Sequence, residues 1–197
     1  YQTSINIGVG YMISAIVAVD ENWGIGFNGE LLEKIPEDLQ YFKNLIEGNL
    51  LICGSKTWDS LPRRAFSQRP MIIISRRWNE MTSNHLIAIP NTFNYWMNLE
   101  QCIDFLTNKI KDGLYRENNG IDKDIFIIGG GQIYKELLPL CDRVYVTKIF
   151  KSHENVDTYF PDLDEPKMWN TWKPIHMGET KVYNDLLYQF WTYDRIN

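Results

Sequence analysis

The stretch "IFIIGGGQIYKELLP", residues 125–139, reads as a buried strand, a turn of three glycines and a short helix halted by Pro139. Four successive apolar residues suit a strand covered on both faces. Comparable runs recur: "MISAIVAV" from Met12, "LLIC" from Leu50, "MIIIS" from Met71, "LIAI" from Leu86, "VYVTKIF" from Val144 and "LYQFWTY" from Leu187. Helical patterns lie between them. From Pro36 onward, at about 100° per residue, Leu39, Tyr41, Phe42, Leu45 and Ile46 share one arc with Asp38 at its centre. From Asn98 to Lys111, Leu99, Cys102, Ile103, Leu106 and Ile110 share a face, and Asn98 and Gln101 are set as a capping box. Strands alternating with helices predict an α/β fold with a largely parallel sheet. The helix-free end after Val144 predicts strands added at one edge. No repeat, low-complexity tract or linker divides the chain, and "RENNGIDKD" from Arg116 reads as a long surface loop.

With 197 residues, 44% apolar and 23% charged, the chain is long enough to bury a sizeable core. Its formal charge of −5, without Lys/Arg clusters, argues against a nucleic-acid partner and for a small molecule. Cys53, Cys102 and Cys141 are odd in number and lack CxxC spacing, as expected of thiols in a reducing compartment, the cytoplasm by default. His85, His153 and His176 lack metal-ligand spacing, so no metal is expected. The first nineteen residues carry no charge, but no basic region precedes them and polar residues interrupt the apolar run, which argues against a secretory or membrane segment. Met12 directly precedes a strand-like run. Residues 1–11 are therefore expected to be an N-terminal extension or a cloning remnant, and 12–197 a single domain.

Several stretches carry candidate chemistry. The glycine turn opens a helix, a setting in which backbone amides receive phosphate. Its spacing lacks the third glycine of GxGxxG and the Lys-Ser/Thr of a P-loop, so a plain tight turn stays open. "MIIISRRW" ends a strand in Arg76 and Arg77, which suit either a phosphate monoester or a solvated basic pair. "CGSKTWDSLP" sets Ser55, Lys56 and Thr57 at a strand-to-helix junction, to bind phosphate or to cap the helix. Asp38 is the anomaly. Behind Pro36 it complements the helix dipole, yet within the apolar arc an unpaired charge is costly. An ionised carboxylate there needs an N–H-rich partner, and a heterocycle with an amidine-like edge would serve.

"MISAIVAVDENWGIG", "IPEDLQYFK", "CGSKTWDSLP", "RPMIIISRR", "IFIIGGGQIY", "VYVTKI" and "DTYFP", in this order and at these intervals, resemble the dihydrofolate reductase family from Met12 to the C-terminus. The resemblance implies a three-layer fold: an eight-stranded, mostly parallel sheet with an antiparallel C-terminal strand and flanking helices. It also implies hydride transfer from NADPH to C6 of 7,8-dihydrofolate with protonation at N5. The product would be 5,6,7,8-tetrahydrofolate for one-carbon metabolism, made by a monomeric cytoplasmic oxidoreductase of the kind antifolates target.

By the same resemblance Asp38 is the single acid of the pterin pocket, supported by Thr147, and these two are the expected catalytic residues. Ile16, Leu39, Phe42, Leu61 and Ile128 match its apolar positions, and Arg69 matches the clamp on the α-carboxylate of the substrate's glutamate. Ala18 matches the backbone position that holds the nicotinamide carboxamide, with Ile25 and Gly26 also on the cofactor side. Gly129, Gly130, Gly131, Gln132, Ile133 and Tyr134 match the cofactor cradle, with a cis Gly129–Gly130 bond. Lys56, Thr57, Ser60, Ser75, Arg76 and Arg77 complete the cofactor set, Arg76 following the strand where the family grips the 2′-phosphate. Ser55 stands where many members have arginine. Trp23–Leu32 would be a mobile loop over the nicotinamide, held closed by Asp157. Glu33, counted with the substrate pocket, stands where most members have a bulky apolar residue, and Leu32 replaces a frequent proline. Glu33 would either raise the pKa of Asp38 by repulsion or point to water. Two other readings stay open: a related reductase for another pterin or pyrimidine, and a non-enzymatic folate- or NADPH-binding module.

Overall fold

A computed structural model describes residues 11–66, 69–77, 87–88, 94–109 and 124–196. Residues 1–10 of the expected extension, His85, the loop from Arg116 and the end of the helix expected to reach Lys111 lie outside the described residues. In chain order the elements are β1 (Ile13–Val19), β2 (Gly24–Phe27), β3 (Glu30–Leu31), α1 (Pro36–Ile46), β4 (Leu50–Gly54), α2 (Ser55–Ser60), α3 (Arg63–Phe66), β5 (Met71–Ile74) and β6 (Ile87–Ala88). There follow β7 (Asn94–Met97), α4 (Leu99–Asp104), β8 (Ile125–Gly129), α5 (Gly131–Leu137), β9 (Arg143–Ile149), β10 (Thr158–Tyr159), β11 (Trp172–Met177), β12 (Lys181–Tyr183) and β13 (Leu186–Arg195).

The large sheet runs β11-β13-β9-β1-β8-β4-β5-β7-β6, with β12 beside β13. Strands β9, β1, β8, β4, β5 and β7 are mutually parallel, while β13 runs antiparallel to β9 and β11 antiparallel to β13. These form the expected eight-stranded body, and the short β6 and β12 extend it to ten. Period-two side-chain alternation explains the unbroken apolar runs. In β1, Ile13, Ala15, Val17 and Val19 enter one core while Ile16 enters another; Leu50 and Ile52 of β4 likewise oppose Leu51 and Cys53. The first face is covered by residues of α4 and α5, and the second by residues of α1, α2 and α3, giving three layers.

The capping box is present: the Asn98 side chain accepts from the Gln101 N–H at 2.8 Å, and the Gln101 side chain accepts from the Asn98 N–H at 2.9 Å. The expected helix is α-helical only to Asp104 and then widens into a π-turn over Phe105–Lys109, where the Thr107 hydroxyl donates to the Ile103 carbonyl. Neither Ser55 nor Thr57 caps α2, whose N-cap is Gly54 without a side-chain bond. The stretch read as a mobile loop carries β2 and β3, joined by Asn28 and Gly29 at φ 51° and 81°. Positive φ at both positions is what a tight hairpin wants. These strands form a small second sheet with β10. At the far edge of the main sheet, β11 is interrupted by Pro174 and a register shift before His176.

Removing the cap with Asn98→Ala is expected to cost about 1 kcal/mol, read from urea unfolding. Adding Gln101→Ala to that variant should cost little more, because the reciprocal bond is already lost.

Candidate active site

Because the six central strands are parallel, the C-terminal ends of β1, β4, β5, β8 and β9 lie along one edge of the sheet, where ligands bind in open α/β folds. Strand β1 pairs with β8 only from Ile13 to Ala15 but stays with β9 to Val19, so beyond Ala15 the sheet parts between β1 and β8. The carbonyl of Ile16, the first residue past that pairing, accepts the Tyr134 hydroxyl at 2.6 Å. Strand β8 is irregular there, with Cys53 opposite Gly129 and Ile128 as the extra residue.

Into this region α1 brings Asp38, whose Oδ1 accepts from Thr147 Oγ1 at 2.6 Å. Ala18, Thr147 and Phe190 stand in one row across β1, β9 and β13, and the Tyr41 ring lies 4.3 Å from that of Phe190. Burial raises the pKa of Asp38, and the Thr147 bond offsets this only in part. Burial, with the nearby Tyr145 and Asp38, pushes Tyr41 up to about 12. The preceding residue is handled differently. Glu37 accepts from Lys181 Nζ and from Tyr188 Oη, each at 2.5 Å, and these bonds hold its carboxyl below the usual range.

Four of the expected pocket residues share one apolar cluster: Ile16 and Ile128 are buried in it, and Phe42 and Leu61 pack against it half-buried. Leu39 stays 36% exposed, and Ile46 alone of α1 is buried outright. The arc around Asp38 is therefore a half-open wall rather than core. Arg69 pairs with Glu47 at 2.8 Å and lies over the Phe66 ring.

Glu33 follows neither expectation. Its Oε1 receives Lys151 Nζ at 2.7 Å and lies 2.9 Å from His153 Nε2. Burial raises its pKa, but the Lys151 and His153 hydrogen bonds and charges outweigh this and lower it. The shift at Asp38 owes nothing to Glu33. A basic pair from the segment after β9 has drawn this side chain to itself.

On the glycine side, the Gly129–Gly130 peptide is cis, as the resemblance implies. Gly129 has φ +128°, and a Cβ on Gly131 would come within 2.6 Å of Thr158 Cγ2, so neither position tolerates a side chain. The Thr57 side chain abuts Gly129 and Gly130, and the Ser60 hydroxyl donates to the Thr57 carbonyl. Lys56, Ser60, Arg76, Arg77 and Gln132 are exposed, whereas Ser75, Ile133 and Tyr134 are buried. Gly26 is buried and Ile25 half-buried in β2. The Gly26 carbonyl accepts from the Asp157 N–H, and the Asp157 carboxylate accepts from the Asn28 N–H at 2.8 Å.

Sequence reasoning assigned nothing to Asp20 or His153. The buried Asp20 carboxylate accepts from the backbone N–H groups of Asn22, Gly24 and His153. "DENWG" carries the acid-led turn chemistry that could have revealed it.

The family model for dihydrofolate reductase matches residues 12–195. The chain belongs to the dihydrofolate reductase family. It is 32% identical over 192 residues to dihydrofolate reductase of Schistosoma mansoni, an alignment spanning 92% of this chain and 95% of that one. It is 29% identical over 188 residues to dihydrofolate reductase of Bacillus subtilis, spanning 94% and 96%. A bifunctional dihydrofolate reductase-thymidylate synthase of Glycine max is 29% identical over 193 residues, which cover 92% of this chain and 33% of that longer one. Membership of the dihydrofolate reductase family makes this chain one of the oxidoreductases of folate metabolism, whose shared reaction reduces dihydrofolate.

Asp38 binds its proton more tightly folded than unfolded, so its contribution is favourable below the ordinary value of 3.8 and is lost as pH rises through the raised value. Asp38→Asn keeps an acceptor for Thr147 and removes the charge. Thermal melts are expected to give the variant a higher Tm than the parent at pH near 8, with the gap closing in acid.

Proposed function

We propose that this chain transfers a hydride from NADPH to C6 of 7,8-dihydrofolate and delivers a proton to N5, giving tetrahydrofolate. One observation carries the reading: a half-buried carboxylate, Asp38, held by the Thr147 hydroxyl where β1 and β8 part, with no cation paired to it among the described residues. A pterin presents N3–H and a 2-amino group side by side, and such a donor pair compensates an ionised carboxylate in an apolar wall. Thr147 fixes the orientation of the acid. The raised proton affinity of Asp38 suits a group that shares a proton with the substrate on the way to N5.

Ile16, Phe42, Leu61 and Ile128 line the ring and exclude water, with Leu39 at the rim. The Arg69–Glu47 pair is exposed on its acidic side, and such pairs contribute only about 0–1 kcal/mol, so the guanidinium is free to exchange Glu47 for a substrate carboxylate. The chain's own residues fit an anionic dinucleotide: a glycine cradle without side chains, the adjoining Thr57, and the exposed cations Lys56, Arg76 and Arg77. NADPH, when bound, supplies the hydride. The hairpin of β2 and β3, tied to Asp157, acts as the lid. Glu33 stands outside the substrate's contacts. Three buried free cysteines fit a reducing compartment, the cytoplasm, and we take the working unit to be a monomer. No helix among the described residues is long and apolar enough to cross a membrane.

The test follows NADPH absorbance with purified protein and dihydrofolate, omitting each component in turn. Tight binding of both without turnover would favour a binding module. Asp38→Asn is expected to lower turnover roughly 10²–10⁴-fold, with a smaller loss at acidic pH where the substrate arrives protonated; an unaltered pH profile rejects the role. Replacing Arg76 and Arg77 with Ala should weaken NADPH far more than NADH, and an equal loss would move the 2′-phosphate grip elsewhere.

A further inference from the structure

The segment from Asp20 to Glu33 leaves β1, forms the β2–β3 hairpin and returns toward α1. Both of its feet meet one side chain. His153 Nδ1 lies 3.2 Å from Asp20 Oδ2, and Nε2 lies 2.9 Å from Glu33 Oε1. The His153 side chain is 13% exposed and the Asp20 side chain is fully buried. The same junction holds a second strap, in which Asn22 Nδ2 donates to Ser152 Oγ and the Glu21 N–H donates to the Lys151 carbonyl.

The hairpin is coupled to the glycine cradle. Strand β10 pairs with β2 and lies against Gly131, and the Phe160 ring sits between Trp23 at 6.1 Å and Tyr134 at 4.9 Å. We infer that His153 is a positioning residue which clasps both feet of the hairpin and thereby sets its closure on the cofactor side of the site. This rests on the reading of the site as an NADPH-dependent reductase.

Ionised carboxylates only accept hydrogen bonds, a neutral imidazole has one N–H to give, and an imidazolium has two. An imidazolium therefore serves Asp20 and Glu33 together, and a neutral ring serves one of them. The groups facing His153 are Asp20 from the β1–β2 turn, Glu33 from the segment before α1, and Lys151 from its own loop through the shared Glu33 oxygen. Lys151 also holds Glu33, and the His153 backbone N–H also holds Asp20, so loss of the ring loosens the junction without releasing either foot.

The experiment compares the intact protein with His153→Gln and Glu33→Ala, measuring NADPH dissociation constants by fluorescence, dihydrofolate KM, and amide exchange over residues 24–31. Both variants should bind NADPH about tenfold more weakly, the size of one charge-assisted contact. The dihydrofolate KM should change less than about twofold, and the double variant should add little, because both changes open the same clasp. Exchange should quicken over residues 24–31 and not in β1. Unaltered NADPH affinity, a matching rise in dihydrofolate KM, or unaltered exchange in a folded Glu33→Ala would overturn the clasp. Failure of the parent to turn over dihydrofolate would overturn the reductase reading instead, and the exchange data would still judge the clasp.

Discussion

The Thr147–Asp38 hydrogen bond is what allows a helix to present a carboxylate within an apolar wall. A bond from a neutral hydroxyl to a charged group contributes about 1.5–3 kcal/mol, less than the cost of stripping water from the ion. The balance is thus left unfavourable by design of the neighbourhood, and the raised proton affinity of Asp38 is the direct result. The partners come from distant parts of the chain, 109 residues apart, so the contact exists only once β9 lies beside β1 and α1 covers that face. Beyond Ala15, β1 keeps its pairing with β9 but not with β8.

Neighbouring acids are treated differently. Glu37 is gripped by Lys181 and Tyr188, which fasten the first turn of α1 to the β12–β13 hairpin. Successive helical residues are rotated by about 100°, so fastening Glu37 there turns Asp38 away from those partners and toward Thr147. Glu33 and Asp20 are likewise paired, through Lys151, His153 and backbone amides. Pairing three acids and leaving the fourth, among the described residues, to a single hydroxyl concentrates the electrostatic cost at one position, a frequent bargain between stability and activity.

Much of this was readable from the chain alone. The central strands were legible because a sheet covered on both faces demands apolar residues in succession, and β1, β4, β5 and β8 largely obey. Asp38 was legible as a violation of its own helix's pattern, whereas the role expected for Thr147 came only through the family likeness. The β2–β3 hairpin escaped because its strands are short and glycine-bearing, and their partner β10 is more than a hundred residues away. The attachment of Glu33 to Lys151 and His153 escaped for the same reason, since no local pattern encodes a contact across 118 and 120 residues. The π-turn after Asp104 hid behind a periodicity that suits either kind of helix.

The outermost strand has its own consequence. Any open sheet margin offers unused amide groups that a foreign strand could adopt, with aggregation as the outcome. In β11, Pro174 deletes one such donor and the dislocation ahead of His176 spoils the even spacing that a newcomer would need. That margin also exposes Ile175 and Met177, residues sticky enough to make adhesion a hazard. The imino acid thus works as a gatekeeper, keeping a wide, strongly apolar sheet from growing past its own last strand.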